Sequence, residues 1–208
     1  MNLLKEVCID NVEDAIKASK LGADRIEFCS KLDEDGLTPK IEELILIKKL
    51  VNIPIRVMVR PHSKSFIYNN KDIDEMKNTI DFCKESNFDG VVFGCLKRNN
   101  ELDLDLISEL AKYSKPLNVI IHKAIDLTNS PLESLKNLLA LNDVDGVLSS
   151  GGFQTARLGA STLKQMINTC PKDFEIISAG KITNENLSFL HYKIQGQYYH
   201  GRKIVGEL

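Results

Sequence analysis

The sequence predicts a single-domain α/β protein, a lean (β/α)8 barrel of the TIM type over residues 1–208. Three observations predict it. Eight short apolar or β-branched runs occupy 6–9, 25–29, 55–60, 90–94, 117–122, 146–150, 175–179 and 197–200. Helix-start signals stand between consecutive runs, so strands and helices alternate. No linker, low-complexity stretch or charge run interrupts that alternation. Barrels of this type typically have about 250 residues. Too little chain follows His200 for a full eighth helix. That helix is expected to be missing or truncated, with the outer face beside it covered by a partner chain in a homodimer. An open doubly wound sheet is the alternative, but it needs a switch point that the run pattern does not reveal.

The elements follow in order. After the first run, Asp10 and Glu13 resemble a capping box ahead of a helix over 12–21, with Gly22 near its end. After the second, Thr38-Pro39 places a cap before a proline at the first helical position. The third run begins after Pro54, and 71–84 then shows amphipathic spacing, as does 103–113 after the fourth. The fifth begins after Pro116 and leads to Ser130-Pro131-Leu132-Glu133, which combines cap, proline and N3 glutamate. The sixth precedes an amphipathic stretch over 155–169, and the seventh precedes Thr183 as the cap of a helix over 184–192. A weak echo, GADRIEF, FDGVVFG and VDGVLSS, puts Asp24, Asp89 and Asp145 ahead of the second, fourth and sixth runs. It suggests a unit of two βα pairs.

Composition narrows the function classes. The chain carries 27 Lys and Arg against 29 Asp and Glu, a formal charge of −2. Nucleic-acid modules usually show a basic surplus, so nucleic acid is not an expected partner. No apolar run reaches the roughly 18 residues of a membrane helix, and the first ten residues hold no signal-peptide core. The five cysteines are odd in number, irregularly spaced and without a Cys-x-x-Cys pair. Neither a disulfide framework nor a structural zinc site follows, and a reducing cytoplasmic compartment is expected. No Ser-His-Asp order or HExxH motif supports a serine or zinc hydrolase.

Strand faces carry the functional expectations. In a barrel the helix-facing side of each strand is apolar, which turns the polar side inward. Period two then puts Glu6 and Cys8 on one inner face, Arg25, Glu27 and Cys29 on the next, then Arg56, Met58 and Arg60, and His122 on the fifth. Buried charges cost several kcal/mol unless paired, so the deeper Arg25, Glu27 and Arg56 can form a salt-bridge network that merely fills the barrel. Cys8, Cys29, Arg60, His122 and Ser150 lie nearer the C-terminal strand ends, where barrel active sites lie. Three arginines against two glutamates favour a small anionic ligand there.

The thiols of Cys8 and Cys29 end adjacent strands about 4.8 Å apart, within reach of one soft metal such as Cu(I). The alternative is two small buried apolar side chains. Glycine turns at 149–152, 178–181 and 200–203 let backbone amides approach a phosphate or carboxylate. The candidate ligand-binding residues are therefore Arg25, Arg60, Ser150, Gly151, Gly180 and His200, with Cys8 and Cys29 as metal ligands.

Several segments resemble the CutC family of copper homeostasis proteins: EVCID at 6–10, GADRIEFCS at 22–30, GLTP at 36–39, VMVRP at 57–61, DGVVFG at 89–94, HKAID at 122–126, SSGG at 149–152 and YHG at 199–201. The resemblance implies a cytosolic barrel of that family, with Glu6, Cys8, Glu27, Cys29, Arg60, His122 and Asp126 lining its pocket and Cys8 and Cys29 as the copper positions. The sequence departs from the family pattern at Lys123 and Ile125, at His62-Ser63-Lys64-Ser65 and in the turn Ser178-Ala179-Gly180-Lys181.

Two functions of different class follow. One is copper binding and homeostasis. The other is lyase- or isomerase-type chemistry on a small, anionic, possibly phosphorylated metabolite. There Arg60 binds the anion, His122 acts as an acid or base tunable near neutral pH, and Glu6, Glu27 or Asp126 assists.

Overall fold

Each apolar run becomes a strand, though β2 and β3 end before their runs do, ahead of Cys29 and Val59. In the computed structural model, which describes residues 3–208, the strands are β1 (Leu4–Ile9), β2 (Arg25–Phe28), β3 (Ile55–Met58), β4 (Gly90–Phe93), β5 (Asn118–Ile121), β6 (Gly146–Ser149), β7 (Glu175–Ser178) and β8 (Tyr198–His200). They close in sequence order into an all-parallel barrel, β8 pairing with β1 through Leu4 and Tyr198 and Glu6 and His200. The helices between them are α1 (Val12–Lys20), α2 (Ile41–Leu50), α3 (Asn70–Glu85), α4 (Leu104–Ser114), α5 (Pro131–Leu139), α6 (Ala160–Thr169) and α7 (Leu187–Ile194). Among the described residues no helix follows β8, and no helix is long and apolar enough to cross a membrane.

Period two divides two cores. Val7, Ile26, Val57, Val91, Val119 and Val147 point outward into the layer between barrel and helices. Met58, Val92, Ile120, Leu148 and Ile177 fill the barrel itself. Burying a side chain of this size removes roughly 2 kcal/mol worth of apolar surface from water, so a register slip on any strand exchanges a stabilising face for a costly one.

The echoed aspartates have one structural job. Asp24 accepts the backbone N–H of Lys5 at 2.8 Å, Asp89 that of Ile55 at 2.7 Å, and Asp145 that of Val119 at 2.7 Å. Each stands just before an even strand and pins the start of the preceding odd one.

Helix starts differ from expectation where the expected cap is engaged elsewhere. Ser130 caps α5 as expected, accepting from the Glu133 N–H at 3.4 Å, with Pro131 in the first turn. Asp10 instead accepts from the Leu32 N–H, and Asn11 caps α1. Thr38 Oγ1 accepts from the Arg60 N–H at 2.8 Å, so α2 starts later, after Lys40. The Ala156 N–H bonds Gly180 O, which holds 155–159 out of α6. The Thr183 N–H donates to Asn186 Oδ1, and α7 starts after Asn186.

Candidate functional site

The charged interior separates into a floor and a mouth. At the floor, Arg25 Nε meets Glu6 Oε2 at 2.5 Å, and Arg25 Nη2 meets Glu175 Oε2 at 2.9 Å. Arg56 grips Glu175 with both terminal nitrogens, at 3.0 and 2.9 Å. Gly146, in register with Glu175, leaves room for that carboxylate: a Cβ there would lie 2.8 Å from Glu175 Cβ. Burial raises the Glu6 pKa, but Arg25, His200 and Arg56 together outweigh it and hold the pKa near 2.

Arg25 is thus corrected from ligand binding to scaffold, because both its partners are carboxylates of the floor and it does not line the cavity above. Glu175 was missed as an inward residue. It supplies the third carboxylate and cancels the arginine surplus that suggested an excess positive charge. The signal for it was the small Gly146 on the neighbouring strand.

Glu6 links floor to mouth. Its Oε1 is 2.8 Å from His200 Nδ1, and His200 Nε2 lies 4.0 Å from Glu27 Oε1. Cys8 Sγ stands 3.5 Å from the same Glu27 oxygen and 3.9 Å from Cys29 Sγ, which also contacts Ile9 O. Cys8, Glu27 and His200 each bring one ligand atom within 4.8 Å of the others. Burial lowers the His200 pKa, but the Glu27 and Glu6 carboxylates outweigh it and raise it overall. Burial raises that of Glu27. The hydrogen bond to Cys29, then burial, then Glu27 push the Cys8 thiol well above its usual range. The surroundings therefore favour the protonated forms of the Cys8 thiol and the His200 imidazole.

A cavity of about 520 Å³ opens at the C-terminal strand ends. It is lined by Cys8, Glu27, Arg60, His122, Ser150 and His200, among others, whereas Glu6 and Cys29, which the family resemblance also puts in the lining, are not among the residues that line it. Phe66 also lines it and was not anticipated; it lies on the loop after β3, where period two gives no signal. Gly151 and Gly180 do not line it. Their positive φ angles, 74° and 109°, and tight contacts with Gly159 and Ala156 make them packing glycines of the loops after β6 and β7.

Asp126 lines the cavity, yet its carboxylate accepts from Ser149 Oγ, Ser150 N, Ser150 Oγ and Gly152 N. Its acceptor sites are occupied, so it positions the β6 loop. His122 Nδ1 accepts from the Ala124 N–H at 3.2 Å, which leaves the proton on Nε2. Burial, then Arg60, lower its pKa to about 3. The expected acid–base group near neutrality is corrected on this ground: His122 is a neutral donor at physiological pH.

The molecule is a (β/α)8 barrel with a cavity at its C-terminal face lined by the thiol of Cys8, the carboxylate of Glu27 and the imidazoles of His122 and His200, the face at which barrels of this type hold their ligands. The CutC family profile matches residues 3–205, and the chain belongs to the CutC family. It is 39% identical to the human copper homeostasis protein cutC homolog over 184 residues, 88% of this chain and 67% of that one. A CutC family protein of Yersinia pseudotuberculosis is 38% identical over 182 residues, covering 86% and 71%. The solved CutC structure from Streptococcus agalactiae superimposes with a TM-score of 0.89 at 26% identity, covering 97% of this chain and 99% of that one. Oxaloacetate acetylhydrolase, at 11% identity and a TM-score of 0.68, shares the fold alone.

Proposed function

We propose that this CutC-family barrel binds Cu(I) as cargo at Cys8 and Cys29, in copper homeostasis within a reducing cytoplasm. The observation that carries the reading is the 3.9 Å separation of the two sulfurs, both in free cysteines. One ion with metal–sulfur bonds of about 2.3 Å can touch both at that separation. The donors suit a soft ion: two thiols, with the His200 imidazole beyond Glu27. The names of the human and mouse relatives support it. A bound cation would stabilise the Cys8 thiolate, which the Cys29 hydrogen bond, burial and Glu27 disfavour, and its arrival displaces thiol protons. The same line of reading carries the homodimer, supported by the exposed Phe189 and Tyr192 on α7 and tested by light scattering.

The test is Cu(I) titration against a competing chelator under reducing conditions. One-to-one binding in the wild type, abolished in Cys8→Ser with Cys29→Ser, is the expected result. Binding of equal strength in the double variant sinks the proposal.

A further inference from the structure

The strongest unexplained feature is Arg60. Its side chain is 5% exposed. Nη1 donates to the carbonyl oxygens of Glu34, Asp35 and Gly36 at 3.0, 3.2 and 3.1 Å. Carbonyls hold the guanidinium but do not neutralise it, and among the described residues no carboxylate forms a salt bridge with it. Nε is buried without a hydrogen-bond partner, and Nη2 makes no hydrogen bond to the described residues. Those two nitrogens form the edge of a guanidinium that takes an oxyanion in two parallel bonds. A buried, unneutralised charge of this kind is costly, and an arriving anion recovers that cost.

His122 adds a second, independent observation. Its Nε2 is also buried without a partner, and the ring is 4% exposed. Because Nδ1 accepts from Ala124, Nε2 carries a hydrogen to donate. The Phe66 ring links the pair, 4.7 Å from the Arg60 carbon and 4.7 Å from the His122 ring centre. All three residues line the same cavity.

We propose that the Nε–Nη2 edge of Arg60 and the Nε2–H of His122 form an oxyanion subsite for a small carboxylate- or phosphate-bearing molecule. This subsite uses neither Cys8 nor Cys29, so it stands whether or not copper binds. Of the two places the sequence offered for an anion, Arg60 and the glycine turns, it takes Arg60, at the end of β3. The unpartnered Glu27 Oε2 lines the cavity as well and suits a hydrogen-bond donor on the body of the same ligand.

Acetate and inorganic phosphate are the probes, titrated into the whole protein by calorimetry. Saturable binding of either supports the proposal, and which one binds separates carboxylate from phosphate. Arg60→Lys keeps the charge but loses the edge and should weaken binding roughly tenfold or more, the worth of one charge-assisted hydrogen bond. His122→Phe should weaken it too, and carries the test if Arg60→Lys does not fold. Lys123→Met removes an exposed cation from the rim and should leave binding within about twofold, as expected of a solvent-screened charge. The cysteine double variant should bind the anion as the wild type does. Saturation by neither probe, or affinity unchanged in both Arg60→Lys and His122→Phe, overturns the proposal.

Discussion

At the floor of the barrel, Glu6, Arg25, Arg56 and Glu175 meet one another at 2.5 to 3.0 Å, each arginine against a carboxylate. At the mouth the same residue types stand incompletely paired. Arg60 is held by carbonyls, one Glu27 oxygen and one His122 nitrogen have no partner, and Cys8 faces a carboxylate rather than a cation. Burial is similar in both regions, so burial does not distinguish scaffold from site. Neutralisation of charge does: Arg56 Nε also lacks a hydrogen-bond partner, but each floor arginine meets a carboxylate and Arg60 meets none. A neutralised ion network has little to gain from a ligand, whereas an unneutralised charge carries a desolvation penalty that a ligand removes.

That contrast makes its strongest claim at the floor. Glu6→Leu leaves Arg25 and His200 without their shared carboxylate, and breaking a buried pair from one side costs about 3–5 kcal/mol. Chemical denaturation should register a loss of that size; a loss comparable to that of an exposed pair would break the contrast. Next comes the pH profile of stability. His122 has a folded pKa of about 3 against an ordinary value of 6.5, so between those pH values the unfolded chain binds a proton that the folded one refuses. Its contribution is complete above pH 6.5 and is lost as pH falls toward 3, on the order of 5 kcal/mol. Glu6, held near 2, adds a further loss between 4.5 and 2. His200 works the other way: its raised pKa stabilises below 6.5, and that share is lost as pH rises through the raised value. Denaturation from pH 3 to 9 should show the acid limb flattened above pH 4.5 in His122→Phe.

Smaller effects sharpen the comparison. Asp126→Asn removes the charge that gathers Ser149, Ser150 and Gly152, and should destabilise by about 1–3 kcal/mol, read as a lower Tm. The exposed Lys77–Glu109 pair, although 2.6 Å long, sets the lower bound: a double-mutant cycle should return less than about 1 kcal/mol.

Much of this was legible from residues alone. The eight strands and their order follow from the apolar runs, and the inward sets Glu6–Cys8 and Arg56–Met58–Arg60 follow from period two. What stayed hidden depends on contacts across the barrel. Glu175 looks like the polar lead-in of a strand until Arg25 and Arg56 are seen to reach it from the far wall. Thr38 is a good cap by type, and only the Arg60 N–H takes it away. Whether an arginine is paired is a property of three-dimensional neighbours, so Arg25 and Arg60 read alike in sequence and differ in role. The resemblance on which the family reading began is borne out across 3–205.

The floor has a last consequence, for biosynthesis. Glu175 joins Arg25 across 150 residues and Arg56 across 119. A chain made from its N-terminus exposes both arginines long before β7 exists, and they remain hydrated until it arrives. Contacts this distant pay their loop-closure entropy late. The quartet is therefore complete only once β7 is in place: until then Arg25 and Arg56 have Glu6 alone among its carboxylates.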